Sequence, residues 1–302
     1  MTERWTWTTV REMGTGRILA GGICIGVLIL VGVDVARAGD VGTFGGYKYV
    51  RVERFGEPGS TKTVSAKCPR GTHVLGGGGE SGGGFGDTFI SSSFPFDGRD
   101  RDSKPDDGWK ATHSSFDDAR ELYADAVCGR QMPVYRKEEF EAAPEDRLQV
   151  AIDCGTGPAI IHGGLRGAAS IQPVASYPFD GSGNQDFWQL TADNVSKKPR
   201  SVKGYAICSD ELAVTYVSTA QEADPVVQDF GETPCPPDKP NAIGGGLVIA
   251  PPFGSFRWNS NAFDISSGSP LQWTLGVEAE FGGNAIPYTL WADCVPDVDS
   301  LP

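Results

Sequence analysis

The sequence predicts an all-β protein built from three pseudo-symmetric units, each closed by its own disulfide. Six of the seven cysteines fall into three pairs, at separations of 60, 54 and 59 residues. A tyrosine stands 19 residues before the first cysteine of every pair, and a tryptophan stands 19 to 21 residues before the second. Short segments rich in Val, Thr, Tyr and Phe alternate with glycines and prolines, which is typical of strands joined by turns.

Residues 1–38 are predicted to be a secretory signal peptide. Three arginines precede an apolar run over residues 18–33, and Ala36-Arg-Ala38 matches the small-x-small cleavage pattern. The apolar run is short for a bilayer span, which needs about 20 residues, so a retained anchor is the weaker alternative. Cys24 lies inside the run and is expected to leave with it. Because the segment is predicted to be a secretory signal, the mature protein is expected to be extracellular.

The rest of the chain divides into unit 1 (39–130), unit 2 (131–210) and unit 3 (211–302). Each unit has a tyrosine strand, a first cysteine, an aliphatic residue followed by glycines, a tryptophan strand and a closing Ala-x-Cys. Each unit offers about six strands. In unit 1 the candidates are residues 47–54, 61–67, 72–75, 88–93, 109–114 and 122–128.

An even number of cysteines in an exported chain indicates disulfides. Six cysteines allow 15 pairings. Since each unit should close itself in the same way, the repeat selects Cys68–Cys128, Cys154–Cys208 and Cys235–Cys294. The C-x2-C spacing of zinc sites is absent from the sequence, so we predict no metal and no cofactor.

The short joins between units favour one body with exchanged strands. Only 7 residues separate Cys128 from Tyr135, and only 8 separate Cys208 from Tyr216. We therefore expect the last strand of each unit to form a hairpin with the first strand of the next. Residues 47–54 would then pair with the strand that ends at Cys294 and close the ring. Three small β-sandwiches in tandem are the alternative.

The motifs Cys68-Pro-Arg-Gly71, Gly76–Gly79 and the Ala-x-Cys closings resemble those of secreted bacterial proteins of unknown function. More distantly, the threefold order is similar to that of the vitelline membrane outer layer protein family. That resemblance implies a β-prism-like fold of three sheets and binding of saccharides. The units here are longer, and the Asp-Thr-Ala-Leu-Asn type segment of that family is missing.

The groups needed for catalysis are few. The sequence contains three histidines, His73, His113 and His162, and no two of them occupy matching positions in the units. We therefore expect surface or strand-end histidines, and we expect no enzyme activity. The acidic run Asp97–Asp107 interleaves three cations with its carboxylates, so a solvated loop is favoured over a calcium site.

Two aromatic loops, Ser93–Gly98 and Ser176–Gly181, are the candidate binding elements. An exposed ring beside a carboxylate can stack on a sugar and hydrogen-bond its hydroxyls. The alternative is a turn whose phenylalanine is tucked into the core. The three repeated tryptophans are expected in the core. The candidate ligand-binding residues are Phe94, Phe96, Asp97, Tyr177, Phe179, Asp180 and, in unit 3, Trp258.

The formal net charge of −13 argues against nucleic acid and against anionic membrane surfaces as partners. These observations predict a secreted, non-catalytic binding or surface-structural protein, with an extracellular glycan or cell-envelope component as its partner. The alternatives are a secreted hydrolase with a carboxylate site and a protein-binding or inhibitor module.

Overall fold

The computed structural model describes residues 37–82, 88–98, 102–115, 119–180, 186–224, 228–249, 256–263, 272–279 and 285–298. Within these ranges the chain forms strands and turns and no α-helix, as the sequence predicts. The strands of unit 1 are β1 (Arg37–Phe44), β2 (Tyr47–Gly56), β3 (Thr61–Lys67), β4 (His73–Ser81), β5 (Thr88–Phe96), β6 (Gly108–Ser115) and β7 (Arg120–Gly129).

Within their described residues, units 2 and 3 contain six strands each. Those of unit 2 are β8 (Val134–Ala142), β9 (Arg147–Asp153), β10 (Ala159–Arg166), β11 (Ile171–Asp180), β12 (Asp186–Asn194) and β13 (Arg200–Ser209). Those of unit 3 are β14 (Thr215–Ala223), β15 (Gln228–Pro234), β16 (Asn241–Ile249), β17 (Phe256–Phe263), β18 (Gln272–Ala279) and β19 (Ile286–Val295).

The predicted strands of unit 1 agree with β2 to β7, with two differences. The glycine cluster after Leu75 belongs to β4, which extends to Ser81. The segment from Ser93 to Phe96, predicted as a loop, continues β5, in which all nine residues are buried. The strand β1 has no counterpart among the described residues of the other units, and the predicted cleavage site after Ala38 lies inside it. Residues 1–36 of the predicted signal peptide lie outside the described ranges.

The strands form three antiparallel sheets. The order is β1-β2-β7-β4-β17-β18-β15 in the first sheet, β3-β6-β5-β10-β13-β8 in the second, and β14-β19-β16-β11-β12-β9 in the third. Each sheet joins three core strands of one unit to three of another. The joining pairs are β4 with β17, β10 with β5, and β16 with β11. Every two units therefore share a sheet, and residues 34–302 form one compact unit.

The exchange of strands occurs at a different place from the one predicted. The last strand of unit 1, β7, pairs with β2 on one side and β4 on the other, so neither edge is left for β8. The predicted hairpins between units are therefore wrong. The predicted closure is also wrong, because β2 pairs with β1 and β7 and not with β19. The short joins between units instead carry the chain from one sheet to the next.

The repeated tyrosines link neighbouring units through hydrogen bonds to backbone carbonyls. The hydroxyl of Tyr49 donates to the carbonyl oxygen of Ala242 at 3.1 Å. Tyr135 donates to Val74 and Tyr216 to Ile160, both at 2.7 Å. Each acceptor lies at the start of the glycine-bearing strand of the preceding unit, with unit 3 preceding unit 1. The sequence repeat at this position therefore maintains contacts between units.

The three predicted disulfides form, with Cα–Cα distances of 5.6 to 5.8 Å. Cys68 follows β3 in the second sheet, and its partner Cys128 lies on β7 in the first sheet. The other two pairs likewise connect the third sheet to the second and the first sheet to the third. In the chain-entropy model, closing loops of this length stabilises the fold by about 4 kcal/mol each. Each disulfide therefore fastens two different sheets together.

The glycines lie where strands of different units approach one another closely. A Cβ atom at Gly76 would overlap the carbonyl oxygen of Ile243, and one at Gly164 would overlap that of Ser93. A side chain at either position would force the two neighbouring strands apart. The interpretation of the glycine cluster as a crowded centre is therefore confirmed.

Candidate functional site

The outer surface of the second sheet carries a groove of about 1190 Å³. Its floor comes from β3, β5, β6, β10 and β13, so it crosses the line along which units 1 and 2 exchange strands. The segment from Met132 to Lys137 and residues Ser103–Pro105 complete its lining. The groove thus exists only because the two units share a sheet.

A stacked aromatic pair forms the centre of the groove. The rings of Phe94 on β5 and Tyr205 on β13 lie 5.6 Å apart at an interplanar angle of 20°. The guanidinium carbon of Arg166 lies 5.5 Å from the centroid of the Phe94 ring. Burial raises the pKa of Tyr205, and the charge of the adjacent Arg166 opposes that rise. The tyrosine therefore keeps its hydroxyl as a donor at neutral pH.

A second cation lies over the neighbouring ring. The Nζ atom of Lys110 on β6 is 4.4 Å from the centroid of the Phe96 ring. Desolvation, followed by the charges of Arg166 and Lys67, lowers the pKa of Lys110. Part of this lowering is repulsion from the two neighbouring positive charges. An anion placed between Lys110 and Arg166 would relieve that repulsion.

The groove is cationic although the chain as a whole is acidic. Among the described lining residues, Asp97 is the one carboxylate. Five cationic residues line the same groove: Lys104, Lys110, Arg136, Lys137 and Arg166. Three threonines, Thr61, Thr63 and Thr112, add hydroxyl groups on one side. Charge, aromatic rings and hydroxyls therefore converge on this surface.

The same row of positions recurs on each sheet. In the second sheet the register places Lys110, Phe94, Gly164, Tyr205 and Lys137 side by side on five neighbouring strands. The matching row of the third sheet is Gln189, Tyr177, Gly246, Trp291 and Ser218. That of the first sheet is Thr274, Ala262, Gly78, Asp125 and Arg51.

The three rows differ in chemistry. In the third sheet, Tyr177 and Trp291 stack at 5.9 Å and 21°, almost as Phe94 and Tyr205 do, but no cation belongs to that row. In the first sheet Ala262 and Asp125 stand at the positions of the aromatic pair, and Asp125 forms an ion pair with Arg51. Arg51 donates from Nε and Nη2 to the two oxygens of the fully buried Asp125, each at 2.8 Å. The combination of stacked rings and cations in one row is thus specific to the second sheet.

The candidate binding residues from the sequence have different surroundings. Phe94 and Phe96 are each 6% exposed and lie under Arg166 and Lys110, so neither ring face is open as predicted. Both residues lie within strand β5, in which every residue is buried, and not in a loop, which accounts for this. Asp97 is exposed at the groove. These three residues do meet at one site.

The second candidate loop lies on another sheet. Tyr177 is half-buried and Phe179 is 51% exposed, both on β11 of the third sheet. The side chains of Asp180 and Trp258 lie outside the described residues. The structure thus divides the predicted residues between two sheets instead of forming one site from equivalent loops.

The interior contains a histidine that the sequence analysis placed at the surface or a strand end. His162 is fully buried, and its ring lies 4.9, 5.0 and 5.8 Å from those of Trp109, Trp188 and Trp273. The prediction that the tryptophans are core residues, one per unit, is confirmed. His113 is also fully buried, and burial lowers its pKa to about 4. The surface prediction fails for both histidines because β6 and β10 lie against neighbouring sheets.

The remaining titratable clusters have structural partners. His73 is half-buried at the start of β4, and its Nδ1 atom lies 2.9 Å from Oδ2 of Asp106. Asp107 accepts a hydrogen bond from the backbone nitrogen of Gly98. Within the described ranges, no cluster of three His, Cys, Asp or Glu residues could hold a metal ion. These two carboxylates of the acidic run therefore form hydrogen bonds within the fold.

Three residues of the groove were missed by the sequence analysis: Lys110, Arg166 and Tyr205. Lys110 directly follows the repeated Trp109, and Arg166 follows the glycine cluster of unit 2. Aligning the units would have shown a cation at each of these positions in one unit alone. What the alignment could not show is that β5, β10 and β13 lie together.

No described helix is long and apolar enough to cross a membrane. The three disulfides indicate an oxidising environment. Neither a scan against protein-family models nor a search among curated proteins finds a match for this chain.

Proposed function

We propose that the protein is an exported, non-catalytic binding protein that holds an extracellular glycan or cell-envelope component in the groove of the second sheet. The observation that carries the proposal is the stacked pair Phe94–Tyr205, flanked by Arg166 and Lys110. Sugars pack on aromatic surfaces and exchange hydrogen bonds with nearby polar groups. The edge of Tyr205, the stems of Lys110 and Arg166 and nearby polar groups lie together in this one concave surface.

The size of the groove suits an oligosaccharide. Pockets for small ligands enclose about 300–1000 Å³, and this groove is slightly larger at about 1190 Å³. The rings of Phe94 and Phe96 are covered by cations, so a sugar would contact the edge of Tyr205 and the stems of Lys110 and Arg166. Threonine hydroxyls along β3 and β6 would bond its hydroxyl groups.

The third sheet offers a second aromatic surface. The stacked pair Tyr177–Trp291 occupies the row equivalent to Phe94–Tyr205, and Phe179 is exposed two residues further along β11. A glycan that binds the groove could therefore find a related contact on this sheet.

The carboxylates described in the groove favour binding over hydrolysis. Glycosidases use two carboxylates on opposite sides of the scissile bond, whereas Asp97 is the one carboxylate among the described lining residues. The ring stack and the cations serve binding without supplying a proton donor and a nucleophile. Binding alone is accordingly the function that this chemistry supports.

We further propose that residues 1–38 are removed on export and that the sheets adopt a β-prism-like arrangement. The oxidising environment indicated by the disulfides supports export. The closed sequence of shared sheets supports the prism, since each unit contributes to two of the three sheets.

A glycan array probed with residues 39–302 tests the proposal. We expect binding to at least one class of extracellular glycan, with clear loss in Tyr205→Leu, which removes the ring and the hydroxyl from the groove. The matched control is Phe230→Leu, which removes a 52% exposed ring from the first sheet. Thermal melting confirms that both variants fold. Absence of binding to every glycan, or unchanged binding by folded Tyr205→Leu, would refute the proposal.

A further inference from the structure

We infer that the groove selects acidic saccharides, those carrying carboxylate, sulfate or phosphate groups, and that Lys110 and Arg166 determine this selection. The inference rests on the proposed saccharide binding and narrows its ligand class. The acid groups of such polymers are the chemistry that a cationic groove recognises, whichever of the three groups carries the charge.

The first support is the local charge. The chain carries a formal net charge of −13, yet the groove collects five cationic residues against Asp97 among its described lining residues. Because net negative charge disfavours polyanions, a cationic patch is where one would bind. The groove would therefore both attract an acidic glycan and determine where it binds.

The second support is the arrangement of the two central cations. Lys110 and Arg166 each lie over an aromatic ring, at 4.4 and 5.5 Å from its centroid. No carboxylate of the described residues lies within ion-pair distance of either one. A cation over a ring keeps its outward N–H groups available to a ligand. The charge of Arg166 acts on Lys110, so both cations can contribute to binding the same acidic ligand.

The third support is the comparison with the third sheet. Its equivalent row retains the aromatic stack, but Gln189 stands where the second sheet has Lys110. Val248 on β16 likewise stands at the position that Arg166 occupies on β10. The same scaffold therefore presents an uncharged aromatic surface on one sheet and a cationic one on another. Charge is the property that changes between them.

This comparison supplies the test. The double variant Lys110→Gln and Arg166→Val gives the second sheet the residues of the third and removes two positive charges. Lys197→Gln with Lys198→Gln removes two charges from an exposed turn outside the groove and is the matched control. Residues 39–302 of each form are titrated with polygalacturonate, its methyl ester, dextran sulfate and dextran. Each acidic polymer thus has a neutral counterpart with the same backbone.

We expect each acidic polymer to bind at least about tenfold more tightly than its neutral counterpart, because one charge-assisted hydrogen bond contributes about that factor. The preference should disappear in the Lys110/Arg166 variant and persist in the Lys197/Lys198 control. It should also weaken between about 0.05 and about 0.5 M salt.

The titration separates failure of acid selection from failure of saccharide binding. Equal affinity for acidic and neutral polymers, with no effect of the Lys110/Arg166 variant, would overturn acid selection and leave saccharide binding intact. Binding of polyglutamate as tight as that of polygalacturonate would also overturn it, because charge alone would then suffice. Absence of binding to all four polymers would overturn this inference, whereas the proposed function would be overturned by absence of binding on the glycan array.

Discussion

The Nδ1 atom of His162 lies 3.1 Å from the Oδ2 atom of Asp293, and both side chains are fully buried. The Nε2 atom of the same ring lies 2.8 Å from the carbonyl oxygen of Gly77, so it must donate there. A proton must then also lie between Nδ1 and the carboxyl group, since two lone pairs would otherwise face each other. The pair is net neutral in either form, which lowers the cost of its burial.

The free energy of unfolding should depend on pH through the protonation of Asp293. Burial raises the pKa of Asp293 above its ordinary value of 3.8, and hydrogen bonding to His162 opposes that rise. The folded state thus keeps this proton to higher pH than the unfolded state, so its stabilising contribution is lost as pH rises above about 4. Two titratable groups face Asp293. One is His162, and the other is Tyr216, whose pKa is raised in part by the charge of Asp293.

Asp293→Asn should therefore flatten the decline of stability with rising pH, because the amide can donate to Nδ1 without titrating. Urea unfolding at several pH values between about 4 and about 8 measures the free energy of unfolding. If Asp293→Asn follows the wild-type pH dependence, Asp293 is not the titrating group.

The second prediction concerns the break in symmetry at the same pair. Gly76 and Gly244 occupy the positions that match His162, and Val127 and Ile207 match Asp293. His162→Gly should cost about 3–5 kcal/mol, because it empties the space between three tryptophans and leaves a buried carboxyl group unpaired.

Adding Asp293→Val to His162→Gly should recover about 1–4 kcal/mol of that loss, since the unpaired acid is removed. Chemical denaturation of the single and double variants gives the comparison. A double variant less stable than His162→Gly alone would contradict this account of the pair.

The third prediction concerns the hydrogen bonds between units. Tyr135→Phe should destabilise the fold by about 1–3 kcal/mol, because it leaves the carbonyl group of Val74 without its partner. Tyr49→Phe should act in the same way through Ala242. The control is Tyr123→Phe, whose hydroxyl bonds to exposed Glu121 and should change stability by less than about 0.5 kcal/mol. Equal effects in all three variants would argue against a special role for the bonds between units.

The fourth prediction compares two ion pairs. Arg51→Ala should cost about 3–5 kcal/mol, since Asp125 has no exposed side-chain surface and would keep an uncompensated charge. Arg147→Ala breaks a similar pair with Asp193, whose side chain is 32% exposed, and should cost less than about 1 kcal/mol. Thermal and urea unfolding of both variants measure the difference. A smaller loss for Arg51→Ala than for Arg147→Ala would show that burial does not set these costs.

Much of the fold could be predicted because the units repeat within the sequence. The cysteine spacing gave the three disulfides, and alternation in segments such as residues 61–67 gave strand bounds that match β3. The pairing of β4 with β17 and its two counterparts could not be predicted, because hydrogen bonds between units leave no periodic signal in either strand. The hairpin prediction failed for the same reason.

The groove could not be predicted from the sequence because its residues come from two different units. Phe94 and Lys110 come from unit 1, whereas Arg166 and Tyr205 come from unit 2, so their meeting depends on the exchange of strands. His162 had a visible signal, since it interrupts a position that is glycine in the other units. That mismatch was not used, and the histidine was predicted at the surface or a strand end although it lies at the crowded centre.

The central claim is that an acidic saccharide binds on the outer surface of the second sheet. The most direct measurement is an NMR titration of residues 39–302 with oligogalacturonate, following the backbone amides. We predict that the largest shifts fall on β5, β6, β10 and β13, around Phe94, Lys110, Arg166 and Tyr205. Shifts confined to the first or third sheet, or the absence of shifts at saturating ligand, would contradict the account.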